Sequence, residues 1–248
     1  MAGLRSLLQI VGGEGDVELN FETLNVFNVN KVSALSGGTC CLWTAPTGAT
    51  WVGIELWGGG GAGGGACCCM QGNGGGAGSY ARKFITVTPG EQLRICSAGS
   101  TGCCIACCGQ PGYPSYVVRV SNGANEICAS GGAPGTTGCF VGSGCWNCSN
   151  CQVGSFVGNF GICGTQGAVR SNPNCYSGAW SYASSAPFTP GGLRGSRMWC
   201  MTGDGVTMNG AAPWPGGGGG SAVAHNGGQC WGGPGAGGLV TIFYGVPA

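Results

Sequence analysis

Between positions 51 and 57 the chain alternates, with Val52, Ile54 and Leu56 on one side of an extended run and Gly53 and Glu55 on the other. An apolar period of two marks a strand with one buried face. The alternation recurs at Ile85 and Val87, at Leu93 and Ile95, and at Val240, Ile242 and Tyr244. Over 116–120, Tyr116, Val118 and Val120 alternate with Val117 and Arg119. Thr88-Pro-Gly90 and Ser121-Asn-Gly-Ala-Asn125 supply turn chemistry, so 83–96 and 116–129 read as hairpins. Beyond the opening segment no stretch holds a 3.6-residue period. The pattern predicts an all-β body, a small glycine-rich β-sandwich with long Gly/Cys-rich loops and with its first and last strands close together.

The strand Trp51-Val-Gly-Ile-Glu-Leu-Trp57 runs straight into a glycine tract, 58–65, broken only by Ala62. Glycine supplies 57 of 248 residues, so side chains alone cannot fill the interior. One reading of such tracts is a flexible, entropy-rich linker. The interruptions argue for the other: Cys67-Cys-Cys-Met70, Tyr80, Cys230-Trp231 and Pro234 suit packing and cross-linking rather than solvation. Residues without Cβ let backbones approach closely and pair as polyproline II-like segments, a polyglycine II arrangement. Neither G-x-x-x-x-G-K-[ST] nor a strand–glycine–helix unit is present, which excludes the common phosphate-cradling loops.

Three parts follow from composition. Residues 1–38 lack cysteine and hold Glu14, Asp16, Glu18 and Glu22. There Leu4, Leu7, Leu8 and Val11 share a short helical face, and the stretch from Glu18 onward suits a strand or an extended docking arm. Residues 39–248 are the glycine- and cysteine-rich β domain, and within it 131–235 reads as a loop-rich insertion. Charged residues are 7% of the chain, nine basic against eight acidic. No basic stripe exists to neutralise phosphates, so nucleic acid is not an expected partner. No run reaches the roughly 18–20 apolar residues that span a bilayer, so no membrane is expected. The apolar start is short, contains Gln9 and lacks a small-residue cleavage site, so it reads as retained.

All 19 cysteines fall between Cys40 and Cys230. The disulfide candidates are Cys67, Cys68, Cys69, Cys103, Cys104, Cys107, Cys108, Cys145, Cys148 and Cys151. Adjacent cysteines bond each other only with strain, so long-range bridges are expected, in an oxidising exterior. Cys145-Trp-Asn-Cys148-Ser-Asn-Cys151 lacks a fourth thiolate at cluster spacing, and His225 is the lone histidine, so neither metal nor cofactor is expected. With one histidine and four carboxylates in the body (Glu55, Glu91, Glu126 and Asp204), no nucleophile–base motif is legible and the chain reads as non-enzymatic.

The insertion scatters aromatics among Asn, Ser and Gly. Trp146, Tyr176, Trp180, Tyr182 and Trp199 are the candidate receptor contacts, because rings bury large area at small entropic cost. They fit equally as the large groups that fill a glycine-rich core.

The order Trp43-Thr-Ala-Pro-Thr-Gly-Ala-Thr-Trp51, Gly58-Gly-Gly-Gly-Ala-Gly-Gly-Gly, Gly78-Ser-Tyr80, Val87-Thr-Pro-Gly90 and a closing Gly-Gly-Leu-Val-Thr-Ile-Phe-Tyr244 resembles the glycine-rich domain of tailed-phage fibre and virion proteins. The likeness covers about 42–130 and 215–244. The cysteine triplet and the opening Leu-Leu-Gln-Ile-Val-Gly-Gly look similar to structural proteins of marine cyanophages. The resemblance implies a structural protein on the exterior of a phage particle, a tail-fibre or adhesin component contacting a host glycan or protein. It also implies a homo-oligomer, a trimer favoured, docked to other virion proteins through residues 1–38. The alternative is a capsid or tail decoration protein that binds no receptor.

Overall fold

The computed structural model describes residues 25–27, 38–67, 70–102, 108–136, 139–140, 155–165, 168–170, 180–182, 186–188, 212, 214–220 and 229–245. In chain order the strands are β1 (Asn25–Phe27), β2 (Cys40–Thr44), β3 (Trp51–Trp57), β4 (Ala66–Cys67), β5 (Met70–Gln71), β6 (Tyr80–Thr86), β7 (Gln92–Cys96) and β8 (Ser115–Arg119). Then come β9 (Asn125–Ala129), β10 (Cys139–Phe140), β11 (Phe156–Val157), β12 (Phe160–Ile162), β13 (Ala168–Arg170), β14 (Trp180–Tyr182), β15 (Gln229–Cys230) and β16 (Leu239–Gly245). No helix occurs among the described residues.

Two antiparallel sheets, ordered β1-β16-β3-β6-β12 and β11-β9-β8-β7-β2, face each other as the expected sandwich. Val52, Ile54, Leu56, Val240 and Ile242 from one sheet meet Leu93, Ile95, Val117 and Ile127 from the other, all buried. These are the inward positions of the two-residue period. The first and last strands of the sequence pattern do lie together: β16 pairs with β3 along its whole length, from Leu239 opposite Trp57 to Gly245 opposite Trp51.

The 83–96 stretch is not a hairpin. β6 and β7 belong to different sheets, and the turn between them carries the chain across the sandwich. Ile85 and Val87 must enter the core from one side and Leu93 and Ile95 from the other, which a flat hairpin cannot supply. The corner is held by Val87 N–H donating to Thr50 O (3.0 Å), Ala45 N–H to Glu91 O (2.8 Å) and Gly90 N–H to Ala45 O (2.9 Å). The second expected hairpin forms as β8–β9, with an irregularity between Val117 and Val118. Val117 is its inward residue, while Val120 is exposed. β11 and β12, joined by a two-residue connection, also belong to different sheets: β11 pairs with β9 and β12 with β6, so this segment too crosses between the sheets and closes that side.

Beyond the sandwich the strands change period from two to three. Residues 58–64 continue β3 as an extended segment whose N–H groups point successively in three directions. Gly58, Gly61 and Gly64 donate to Ser79, Gly76 and Asn73; Gly59 and Ala62 to Tyr113 and Gln110; Gly60 and Gly63 to Ala236 and Gly233, all at 2.8–2.9 Å. Three residues per turn without internal hydrogen bonds is the polyproline II helix. Its carbonyls are used as well: Gly132 N–H donates to Gly59 O, Gly135 N–H to Ala62 O, Gly219 N–H to Gly61 O, and the Thr101 hydroxyl to Gly60 O. Six segments thus surround the seventh: 73–79, 98–101, 110–113, 130–136, 216–220 and 233–237. All but 216–220 adjoin strands of the sandwich. The described ends of the 131–235 tract, 131–136 on one side and 216–220 with 233–235 on the other, supply walls of this bundle.

Glycine is what the spacing demands. A Cβ on Gly60 would stand 1.8 Å from Gly217 O, and one on Gly63 1.9 Å from Gly220 O. On Gly61 it would meet Ala133 O at 2.1 Å. Only the face of Gly59 is looser, with its nearest atoms at 3.1 Å from Ala98 and Gly99. Three residues on, Ala62 occupies that same face, which explains why the tract is interrupted there. Buried serines finish the ladder where the period switches: Ser115 Oγ donates to Trp57 O (2.7 Å) and accepts from Ala98 N–H (2.9 Å), and Ser79 Oγ donates to Ser155 O (2.9 Å).

Gly61→Ala should cost more than the about 1–3 kcal/mol of ordinary overpacking, because its neighbour is backbone that cannot rotate away. Gly59→Ala should fold with a small loss. Thermal melts of the two variants decide; matching melting temperatures would remove the close-packed bundle from this account.

Candidate contact surface

In most sandwiches the outer sheet faces are polar. Here the outer face of the first sheet is aromatic. Gly53 of β3 lies opposite Phe84 of β6 and Phe243 of β16. With no side chain at Gly53, the Phe243 ring lies across the strand; a Cβ there would stand 2.2 Å from its Cε2. Phe84 and Phe243 meet edge to face at 5.6 Å, and Trp51 contacts them at 6.1 and 6.4 Å. The Arg82 guanidinium sits 5.0 Å from the Phe84 ring centre and 5.7 Å from that of Phe243, a cation–π arrangement. Its Nε faces Glu55 at 3.5 Å.

A second cluster adjoins this one. Tyr80 packs on Trp57 (4.9 Å), Phe188 (4.9 Å) and Phe160 (6.2 Å), and Trp57 Nε1 donates to Pro187 O (2.8 Å). Burial is the main cause that pushes the Tyr80 hydroxyl pKa far up, and the Glu55 carboxylate adds to it. Phe84, Phe160 and Phe188 remain 44%, 51% and 67% exposed. An apolar surface of this kind is a candidate interaction site. Sequence reasoning missed it because alternation assigned these positions to solvent. The usable signal was apolar residues at both parities of β3, β6 and β16, which means that both faces are covered.

The three described carboxylates of the β body are all engaged. Glu55 pairs with Arg82. Glu126 accepts from Lys83 Nζ (2.9 Å) and Arg119 Nε (2.8 Å), tying β6 of one sheet to β9 of the other. Glu91 binds Arg119 and accepts from Thr88 N–H (3.0 Å) in its own turn. Asp204 lies outside the described residues. Among the described residues no group of three or more His, Cys, Asp or Glu side chains is placed to hold a metal ion.

A family model of the glycine-rich domain matches residues 34–245, taking in every bundle segment and both sheets apart from β1. The chain belongs to the glycine-rich domain family. No curated protein matches it.

In this glycine-rich domain one disulfide is present among the described residues, Cys40–Cys96, with Cα atoms 4.1 Å apart. It joins opposed residues of β2 and β7, a pairing that the candidate cysteines did not include. The signal lay in the strand register, which spacing along the chain does not reveal. Of the candidates, Cys67 lies in β4 and Cys108 is exposed. Cys68, Cys69, Cys103, Cys104, Cys107, Cys145, Cys148 and Cys151 lie outside the described residues. Cys41, Cys128 and Cys163 carry free thiols, and burial raises the pKa of the first two. Among the aromatic candidates, Trp146, Tyr176 and Trp199 also lie outside the described residues. Trp180 and Tyr182, which had shown no strand pattern, are the ends of β14, opposite Arg170 and Ala168 of β13.

Two outcomes are expected of the isolated glycine-rich domain. Cys40→Ser removes a link across 56 residues and should destabilise it by about 2–4 kcal/mol, read from denaturant unfolding; an unchanged midpoint would contradict this. The second concerns acid. The Thr88 amide first, then Arg119, hold the Glu91 carboxyl below its ordinary value, against burial. Burial pushes Glu126 up, but hydrogen bonds from Arg119 and Lys83 outweigh it and hold this carboxyl low as well. Groups depressed in the folded state contribute stability that is complete above their ordinary value of 4.5 and lost as pH falls through the folded values. Melting temperature should therefore fall below that pH, and Glu126→Gln should flatten the fall. An identical acid profile in the variant would show that this network plays no part.

Proposed function

We propose that this chain is a non-enzymatic structural protein of a phage particle, a tail-fibre or adhesin component whose long loops meet the host surface. The observation that carries this reading is the seven-segment glycine bundle, rooted in the sandwich and closed at its far end by short ribbons. Cys67 and Cys230 belong to one ribbon, β4–β15, and Met70 and Cys139 to another, β5–β10. Thr136 and Gly220 stand at that same end, Thr136 O accepting from Asn73 N–H (2.8 Å) and Gly220 O from Gly233 N–H (2.7 Å). A rigid stalk that presents loops at one end is an attachment tool rather than a reaction vessel. Residues 1–38 are the docking segment to the particle, and the aromatic candidates Trp146, Tyr176, Trp180, Tyr182 and Trp199 are the host-contact groups. The particle exterior is the location, and a homo-oligomer, a trimer favoured, is the working form.

The aromatic outer sheet face favours a second reading, a decoration protein that stabilises its neighbours through a broad apolar contact. A density map or antibody label on intact particles separates the two. Label at fibre tips is expected. Label tiled over a shell would replace the adhesin by the decoration protein, and particles free of the chain would end both readings. Within the first reading, Trp180→Ala or Tyr182→Ala should weaken host-cell adsorption about tenfold or more, as loss of an interface anchor does.

A further inference from the structure

We infer that the chain covers its own aromatic face: residues 1–22 dock over Trp51, Phe84 and Phe243. The first argument is where that segment begins its path. β1 lies on the outer edge of β16 and runs antiparallel to it, with Asn25 opposite Ile242 and Phe27 opposite Val240. The chain before Asn25 therefore leaves toward Tyr244 and Gly245, and Gly245 is the residue paired with Trp51. The segment enters the sheet at the corner where the three rings stand.

Its chemistry fits what is there. Leu4, Leu7, Leu8 and Val11 fall at the spacing of one helical face, followed by the flexible Gly12-Gly-Glu-Gly-Asp16. An apolar stripe of that size matches an aromatic triad, of which Phe84 is 44% exposed. Charge agrees. Residues 1–24 hold one base, Arg5, and four acids, whereas the rest of the chain holds eight bases and four acids. Three of those four body acids are already engaged by Arg82, Lys83 and Arg119. At the triad itself Arg82 overhangs both phenylalanines, and its Nε makes no hydrogen bond despite facing Glu55. That Nε is buried, and an acidic segment arriving beside the guanidinium finds a cation whose one ion pair among the described residues is this long contact to Glu55.

The test uses the full-length chain, with Leu8 replaced by photoreactive benzoylphenylalanine and irradiated in dilute solution. Cross-links within one chain to peptides 80–86 and 239–245 are expected. Phe84→Glu should lower their yield about tenfold, as loss of an anchor would. Leu7→Glu should do the same without touching the folded body, which keeps the test valid should the first variant misfold. Cross-links to the same peptides but between two chains would give the face to a second copy and overturn the inference. Cross-links confined to other peptides, or no yield above that of a probe at exposed Leu42, would overturn it as well. Because the measurement needs no particle, it fails or succeeds independently of the proposed virion role.

Discussion

Backbone approaching backbone, with no side chain between, is the contact on which this molecule depends. In an ordinary domain the interior is filled by side chains, and main-chain groups pair within helices or sheets. Here the segment 58–64 has its own kind of core, made of peptide groups from six neighbours. Each hydrogen bond contributes only about 0.5–1.5 kcal/mol net, while each glycine brings a larger conformational entropy loss than any other residue. The arrangement holds because it is anchored at one end. The strands that enter from the sandwich arrive already ordered by Val52, Ile54, Leu56, Leu93, Ile95, Val117 and Ile127, so much of the ordering cost is met before the bundle begins.

The junction shows how two periods coexist in one chain. In the sheets every second residue faces inward; in the bundle every third residue faces the same neighbour. Buried hydroxyls bond carbonyls at the change: Ser115 donates to Trp57 O, and Ser79 adds a second bond to Ser155 O, which already accepts from Ser130 N–H. Across the side of the sandwich, Lys83, Glu126, Arg119 and Glu91 join one sheet to the other. A chain with so few charges places most of those in its described body at structural joints.

The strands were legible because a buried face forces alternation, and every inward residue of β3, β7 and β16 followed from it. The bundle was half legible. Tract composition pointed to close packing, but the choice of six neighbours depends on segments far apart in sequence, such as 130–136 and 216–220. Pairing across the sandwich was hidden for the same reason: nothing local separates a hairpin from a crossover at Thr88-Pro-Gly90. The Cys40–Cys96 bridge required a register, and the aromatic face required knowing that Gly53 leaves room for a ring. Those facts arise between elements, where a one-dimensional pattern carries little information.

The threefold bonding of residues 58–64 has a mechanical consequence. A β-sheet is stiff along its strands and across its ladders but bends easily out of its plane. A segment bonded in three directions, and accepting bonds in the intervening ones, has no such soft plane. Bending to any side loads some row of hydrogen bonds, and pulling one segment lengthwise shears several rows together. The bundle is therefore a short rod of nearly uniform lateral stiffness, and the ribbons β4–β15 and β5–β10 at its far end keep their position relative to the sandwich whichever way a load is applied.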